Sequence, residues 1–326
     1  MELKEKINDV KVSDRDYNKL DIAIVIPCYN EGVTISKVVK DYRDILPNAA
    51  IYVFDNNSTD NSVQLAKEAC ATVLYVKRQG KGHVVRAIFE RIDADLVVIV
   101  DGDDTYLPEE VHSLMEPILR GDADMVVGNR LYAIKEGAMR DLHRFGNRLI
   151  VGSINMMFNA NFRDILSGYR VISRRLMEFV PLMSKGFEIE TELTLQALEA
   201  DMEIMEVPIS YKSRPPDSHS KLRSFRDGYR IMLTASFILR DHYPLRLFGF
   251  TGLFCLAIAA AAGILRFIAY IGVEILPITL LVGTMILFAP LGLISIGTGL
   301  ILNSVTARFR ELNQIMRRMI RSHVKS

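Results

Sequence analysis

The chain has 326 residues, enough for one large domain with an appendage, and its 40 Lys and Arg against 39 Asp and Glu leave a formal charge of +1. That balance excludes the basic field on which nucleic-acid binding depends. Cys28, Cys70 and Cys255 lie far apart without metal-ligand spacing and read as reduced, buried thiols of a cytosolic setting.

Residues 1–20 form a charged extension with no apolar core, so nothing in them points to secretion. Residues 22–26 read as a strand stopped by Pro27, and 33–46 as a helix ending before Pro47. Residues 50–54 form a second strand. Ser58-Thr59-Asp60 then offers side-chain acceptors to the first amides of a helix running through Cys70. A third strand is expected over 72–76. Gly80-Lys81-Gly82 opens a helix that ends near Ile92, and strands follow at 96–100 and 125–128. This alternation predicts an α/β fold, a mostly parallel sheet with helices on both faces. Residues 131–240 read as mostly helical, with one strand over 204–211. Residues 222–243 interleave Arg223, Arg226, Arg230 and Arg240 with Phe225, Tyr229, Met232 and Phe237, as a helix lying on a bilayer would.

Two runs then carry no charge, 247–265 and 275–307, and each is long enough to span a membrane. The tail holds Arg308, Arg310, Arg317, Arg318, Arg321 and Lys325 against the single acid Glu311, which marks it as cytoplasmic. Two spans return the chain to the same side, so the N-terminal domain is expected there too. The boundaries that follow are 21–221 for the large domain, 222–244 for the interfacial helices, 245–303 for the spans and 304–326 for the tail. Gly283, Gly292, Gly297 and Gly299 would permit packing into a homo-oligomer.

The stretch richest in chemistry is Asp101-Gly102-Asp103-Asp104, at the carboxyl end of the apolar strand 96–100. Open α/β sheets bind ligands at that edge. Crowded carboxylates repel unless a cation lies between them, and hard oxygen ligands suit Mg²⁺ or Mn²⁺ completed by substrate phosphates. Pro27-Cys28-Tyr29-Asn30-Glu31 and Asp55-Asn56-Asn57-Ser58-Thr59-Asp60 close the first two strands at the same edge. No GxGxxG follows the first strand, which argues against a dinucleotide enzyme.

Together these loops resemble the family-2 glycosyltransferases over residues 21–225, which implies the nucleotide-sugar-binding, Rossmann-like fold called GT-A. By that resemblance Pro27, Tyr29, Glu31 and Asp55 contact the nucleoside, and Lys81 approaches the nucleotide. Asp101, Gly102 and Asp103 flank the diphosphate and metal. Thr105 stands where relatives often carry a Gln ligand. Gly128-Asn129-Arg130, then Arg140, His143, Arg144 and Arg148, then Asp164 through Arg170 recur in polyprenyl-phosphate glycosyltransferases, of which dolichyl-phosphate mannose synthases are the best known. The resemblance implies an acceptor phosphate held by Arg130, Arg144, Ser167, Arg170, Arg214 and Lys221, with Asp103, Arg130 and Arg144 central to catalysis. It implies inverting transfer of a hexose from a nucleotide sugar to polyprenyl phosphate. A UDP-hexose is favoured over GDP-mannose, because Arg148 and the insert Pro215-Pro216-Asp217 depart from the mannose synthases. A hydroxyl acceptor, such as a lipid-linked saccharide, is the alternative. It would need a general base, for which Glu190 is a candidate, although Glu188, Glu190 and Glu192 on a helix are more often ordinary surface acids. The absence of Trp argues against a processive synthase, whose channel motif contains one.

Overall fold

A computed structural model describes residues 20–132, 151–152, 154–156, 158–184, 186, 188–215, 240, 243–271 and 276–324, and divides the chain into two compact units, 1–228 and 229–326. The first unit is built on a seven-stranded sheet: β1 (Ile22–Cys28), β2 (Ala50–Asp55), β3 (Thr72–Tyr75), β4 (Leu96–Ile99), β5 (Met125–Asn129), β6 (Arg170–Ser173) and β7 (Ile204–Pro208), in the order β3-β2-β1-β4-β6-β5-β7. Helices α1 (Ile35–Ile45), α2 (Ser62–Glu68), α3 (Lys81–Arg91), α4 (Val111–Leu119), α5 (Arg174–Phe179) and α6 (Ile189–Glu199) cover it.

The period-two pattern of the strands sorts the core into two layers. Ile24, Ile26, Val98, Val126 and Val171 face Val38, Val39, Tyr42, Leu114 and Met115. Ala23, Val25, Val97, Ile99, Met125, Val127 and Ile172 face Val84, Val85, Ile88, Leu176 and Leu193. Both faces of the sheet are therefore buried, which is why the strands read as continuous apolar runs.

Four expectations are corrected. Pro27 does not stop β1, which runs on through Cys28 in register with β2 (Pro27↔Phe54, Cys28↔Asp55). The Val25 carbonyl accepts from the Val100 N–H, so by alternation Pro27 faces β4 past their last pair, Val25↔Ile99, where no ladder bond is lost. The second correction is β6, a strand not expected from the sequence, which inserts antiparallel between β4 and β5. Four residues are too few to display a period. Third, Cys70 is exposed in a left-handed conformation (φ 64°) after α2, while Cys28 and Cys255 are buried. Fourth, α2 starts at Ser62, four residues beyond Ser58. Asp60 still serves its first turn, accepting from the Ser62 N–H at 3.0 Å.

The order reverses around β1, whose neighbours are β2 on one side and β4 on the other. The loops after these strands therefore splay apart and open a crevice at the carboxyl edge of the sheet.

In the second unit, α7 (Pro244–Tyr270) and α8 (Ile278–Val324) are long enough to cross a membrane, with apolar stretches Pro244–Tyr270 and Ile278–Phe309. The basic tail is not a separate element: it continues α8. The two helices pack backbone to backbone. A β-carbon on Gly252 would meet the Gly292 carbonyl at 2.7 Å, and one on Gly292 the Gly252 carbonyl at 2.8 Å. The Ser295 hydroxyl donates to the Phe248 carbonyl at 2.8 Å. Phe250, Phe254, Phe267, Ile286, Ile294 and Ile301 remain exposed, as side chains facing lipid would be.

Candidate active site

The loops at the carboxyl edge are stitched together by side chains that accept backbone protons. Asn30 lies at φ 52° and Asn57 at φ 65°, left-handed positions that Asn tolerates. The Asn30 N–H donates to Ser58 Oγ (3.0 Å), the Thr59 N–H to Asn30 Oδ1 (2.7 Å), and the Gly32 N–H to Asp60 Oδ2 (3.0 Å). Asn56 spans to the next loop: it donates to the Val76 and Arg78 carbonyls and accepts from the Gly80 N–H at 2.7 Å. Gly80 takes φ 132°, a region closed to other residues, and launches α3. The Thr34 hydroxyl donates to the Gly102 carbonyl at 2.6 Å, joining the first loop to the acidic one.

In this frame Asp55 is buried and accepts from the Ser58 N–H at 3.2 Å. Glu31 is buried, and Tyr29, two residues before it, is 38% exposed. Cys28 is enclosed nearby, and burial pushes its thiol up to about 11, so it is no nucleophile at neutral pH.

The acidic loop is divided by its partners. Lys81 Nζ lies 2.7 Å from Asp101 Oδ1 and 2.7 Å from Glu190 Oε1, with only 13% of its side chain exposed. Burial opposes the ammonium, yet the two carboxylates raise its pKa above the ordinary lysine value. Burial would likewise raise Asp101, but Lys81, then Arg130 and Arg214, hold it below the usual carboxylate range. Asp103 moves the other way: burial and the charge of Asp101 push it up against the pull of Arg214, 2.5 Å from its Oδ2. Asp104 leaves the cluster. It adopts φ 56° and pairs with Lys37 at 2.8 Å.

Among the described residues no group of three His, Cys, Asp or Glu side chains could hold a metal by itself. Of the three carboxylates in the loop, Asp101 and Asp103 act on one another while Asp104 pairs with Lys37. Two mutually repelling carboxylates fit a hard divalent ion that takes its remaining ligands from water and a substrate diphosphate. Thr105, expected as a third ligand, lies against Asp103. It is buried, its hydroxyl donates to Asp103 Oδ1 at 2.6 Å, and its N–H lies 3.3 Å from the same atom.

The cationic residues divide in the same way. Arg130 makes a two-pronged pair with buried Asp164 (Nε to Oδ2 2.8 Å, Nη2 to Oδ1 3.0 Å) and stacks over the Tyr211 ring at 5.5 Å. Asp164 is itself held by Glu206, which accepts from the Arg163 and Asp164 N–H groups at 2.9 and 2.7 Å. Arg170, expected at the acceptor, is 1% exposed. It donates to the Ser167 carbonyl (2.9 Å), the Ile165 carbonyl and Thr194 Oγ1 (3.1 Å), bracing the 165–170 loop from inside. The Ser167 side chain is fully buried beside it. Both turn inward because β6, unseen in the sequence, carries this loop into the core. Gly168 leaves room for the Asp101 carboxylate, which a β-carbon would crowd. Arg144 and Lys221 lie outside the described residues, as do residues 222–239.

Glu190 was underrated by its sequence context. It is 8% exposed in the first turn of α6, bound to Lys81, and its second oxygen has no partner among the described residues. The sequence signal was present: Gly80-Lys81-Gly82 needed a buried counter-charge.

Residues 23–180 match the model of the family described as "Glycosyl transferase family 2". The chain is 36% identical over 250 residues to "Glycosyltransferase AglJ" of Haloferax volcanii, covering 76% of this chain and 81% of the relative. It is 30% identical over 218 residues to "Dolichyl-phosphate hexose transferase" of the same organism, covering 66% and 92%. A solved neighbour is glucosyl-3-phosphoglycerate synthase from Mycobacterium tuberculosis, crystallised with Mn²⁺, UDP-glucose and phosphoglyceric acid. Its TM-score is 0.54 at 21% identity, over 67% of this chain and 79% of the other, which establishes a shared fold.

Proposed function

The chain belongs to glycosyl transferase family 2, and on that premise we propose that it transfers a hexose from a nucleotide sugar to a polyprenyl monophosphate, undecaprenyl or dolichyl, at the cytoplasmic face of a membrane. The carrying observation is the set of cations at the acidic loop: Lys81 lies 2.7 Å from Asp101 and Arg214 2.5 Å from Asp103, and the charge of Arg130 also favours the ionised Asp101. Cations gathered at an acidic loop suit a site that receives phosphates on both substrates. The name of the Haloferax dolichyl-phosphate relative supports this acceptor class.

A phosphate acceptor is already anionic near neutral pH, its second pKa being about 6, so no residue must take a proton from it. Asp55, Glu31 and Tyr29 receive the nucleoside, and Pro27 shapes that wall. Asp101 and Asp103 would hold Mg²⁺ or Mn²⁺, which when bound would supply charge for the departing diphosphate. Arg130 and Arg214, with Arg144 and Lys221, orient the acceptor oxygen behind the anomeric carbon, and a single displacement turns an α-linked donor into a β-linked product. A UDP-hexose is the favoured donor, consistent with a fold neighbour crystallised with UDP-glucose. The paired spans and the basic end of α8 support a cytoplasmic catalytic domain over 21–221, with 222–244 at the interface. Gly283 and Gly297, each with open space around it, are where a second copy would pack.

One observation favours the second reading, a hydroxyl acceptor: the unpartnered oxygen of Glu190 is suited to a base. The test separates the two. Full-length protein in detergent is given labelled UDP-hexoses or GDP-mannose, Mn²⁺ or Mg²⁺, and a short polyprenyl phosphate. A lipid-extractable monophosphate monosaccharide that disappears with excess chelator and in Asp103→Ala supports the first reading. A product formed only on a hydroxyl acceptor, and lost in Glu190→Gln, supports the second.

A further inference from the structure

Arg214 rests on the carboxylate that the metal would need. Its Nη2 lies 2.5 Å from Asp103 Oδ2, and the meeting is built by the backbone. Tyr211 forms an antiparallel bridge with Tyr106, and the Lys212 N–H donates to the Thr105 carbonyl at 2.8 Å. The Ser210 N–H donates to the Glu110 carboxylate at 2.9 and 3.0 Å. Residues 210–212 are thereby fixed along 105–110, two residues before Arg214.

The two cations of the acidic loop are not equivalent. Lys81 is wedged between two acids with 13% of its side chain exposed. Arg214 is 29% exposed and follows the last sheet strand, β7. Asp103 has one oxygen to offer, because Oδ1 already accepts from the Thr105 hydroxyl and N–H. An ion ligated by Asp103 and the guanidinium of Arg214 must therefore contend for Oδ2. Both carry positive charge and both draw on the same oxygen, so each weakens the other's hold on it.

Resting on the reading above that this loop serves a sugar diphosphate and a phosphate acceptor, we propose that Arg214 is a place-holder cation. It neutralises Asp103 while no divalent ion is bound, and it leaves Asp103 when an ion takes Oδ2. Its guanidinium then turns from Asp103 toward the acceptor's phosphate.

The test is Mn²⁺ titration of the full chain in detergent, without nucleotide or lipid, followed by electron paramagnetic resonance. Arg214→Ala is expected to tighten Mn²⁺ binding about tenfold, the low end for removing a hydrogen bond to a charged group. Arg214→Gln, closer in volume, should tighten it in the same direction and guards against misfolding of the alanine variant. Asp103→Asn should abolish the gain. Unchanged or weaker Mn²⁺ binding in both Arg214 variants overturns the proposal, as does a gain that persists alongside Asp103→Asn. None of these readings involves a lipid. Failure to form the lipid product while Mn²⁺ tightens would reject the acceptor assignment and leave the metal competition standing.

Discussion

Asp164→Asn puts the electrostatics of the site to a quantitative test. Asp164 is fully buried and accepts three protons from Arg130: Nε at 2.8 Å, Nη2 at 3.0 Å and the backbone N–H at 3.2 Å. Only 13% of the Arg130 side chain is exposed, so water cannot take over the guanidinium. Breaking such a pair from one side costs about 3–5 kcal/mol, because the remaining charge stays buried and uncompensated. Asparagine keeps one acceptor oxygen, which places the substitution near ~3 kcal/mol. For a unit of this size each kcal/mol moves the melting temperature by roughly 2–4 °C, so a drop of about 6–12 °C is expected. Circular-dichroism melting of the full chain at pH 7 reads it. Adding Arg130→Met to Asp164→Asn removes the stranded charge and should recover at least half of the loss while abolishing transfer. If Asp164→Asn melts within about 2 °C of the parent, the buried-pair reasoning is wrong.

Two further predictions concern neighbouring residues. In Gly168→Ala the new methyl would lie 2.9 Å from Asp101 Cγ and 3.0 Å from Oδ1. Overpacking of about 1–3 kcal/mol, with Asp101 pushed off Lys81, should weaken nucleotide-sugar binding in calorimetry; unchanged affinity counts against a fixed Asp101 position. Burial raises the carboxyl of Glu206 above its ordinary 4.5 despite the Asp164 and Arg163 N–H groups it accepts. Between 4.5 and the raised value the folded protein binds more protons than the unfolded chain, so this group's contribution to stability declines as pH rises through that window. Glu206→Gln should flatten the melting-temperature profile above pH 4.5. A profile that keeps its slope assigns the effect to another carboxylate.

Local pattern determined a large part of this protein. Apolar runs ending in Asp55 and Asp101 predicted strands with polar carboxyl ends, because a strand buried on both faces has no other place for a charge. Uncharged runs at 247–265 and 275–307 predicted two long apolar helices, because span length is a property of the chain alone. What the sequence did not decide was pairing at a distance. Lys81 meets Glu190, Asp103 meets Arg214 and Arg130 meets Asp164 only after β6 has inserted between β4 and β5 and carried the loop before it inward. The same insertion buries Arg170, whose guanidinium reaches the Ser167 carbonyl. A guanidinium reads alike in sequence whether it faces a carbonyl, a carboxylate or a substrate. Its role is set by which acceptors the folded backbone places within three ångströms, and that is decided by tertiary structure.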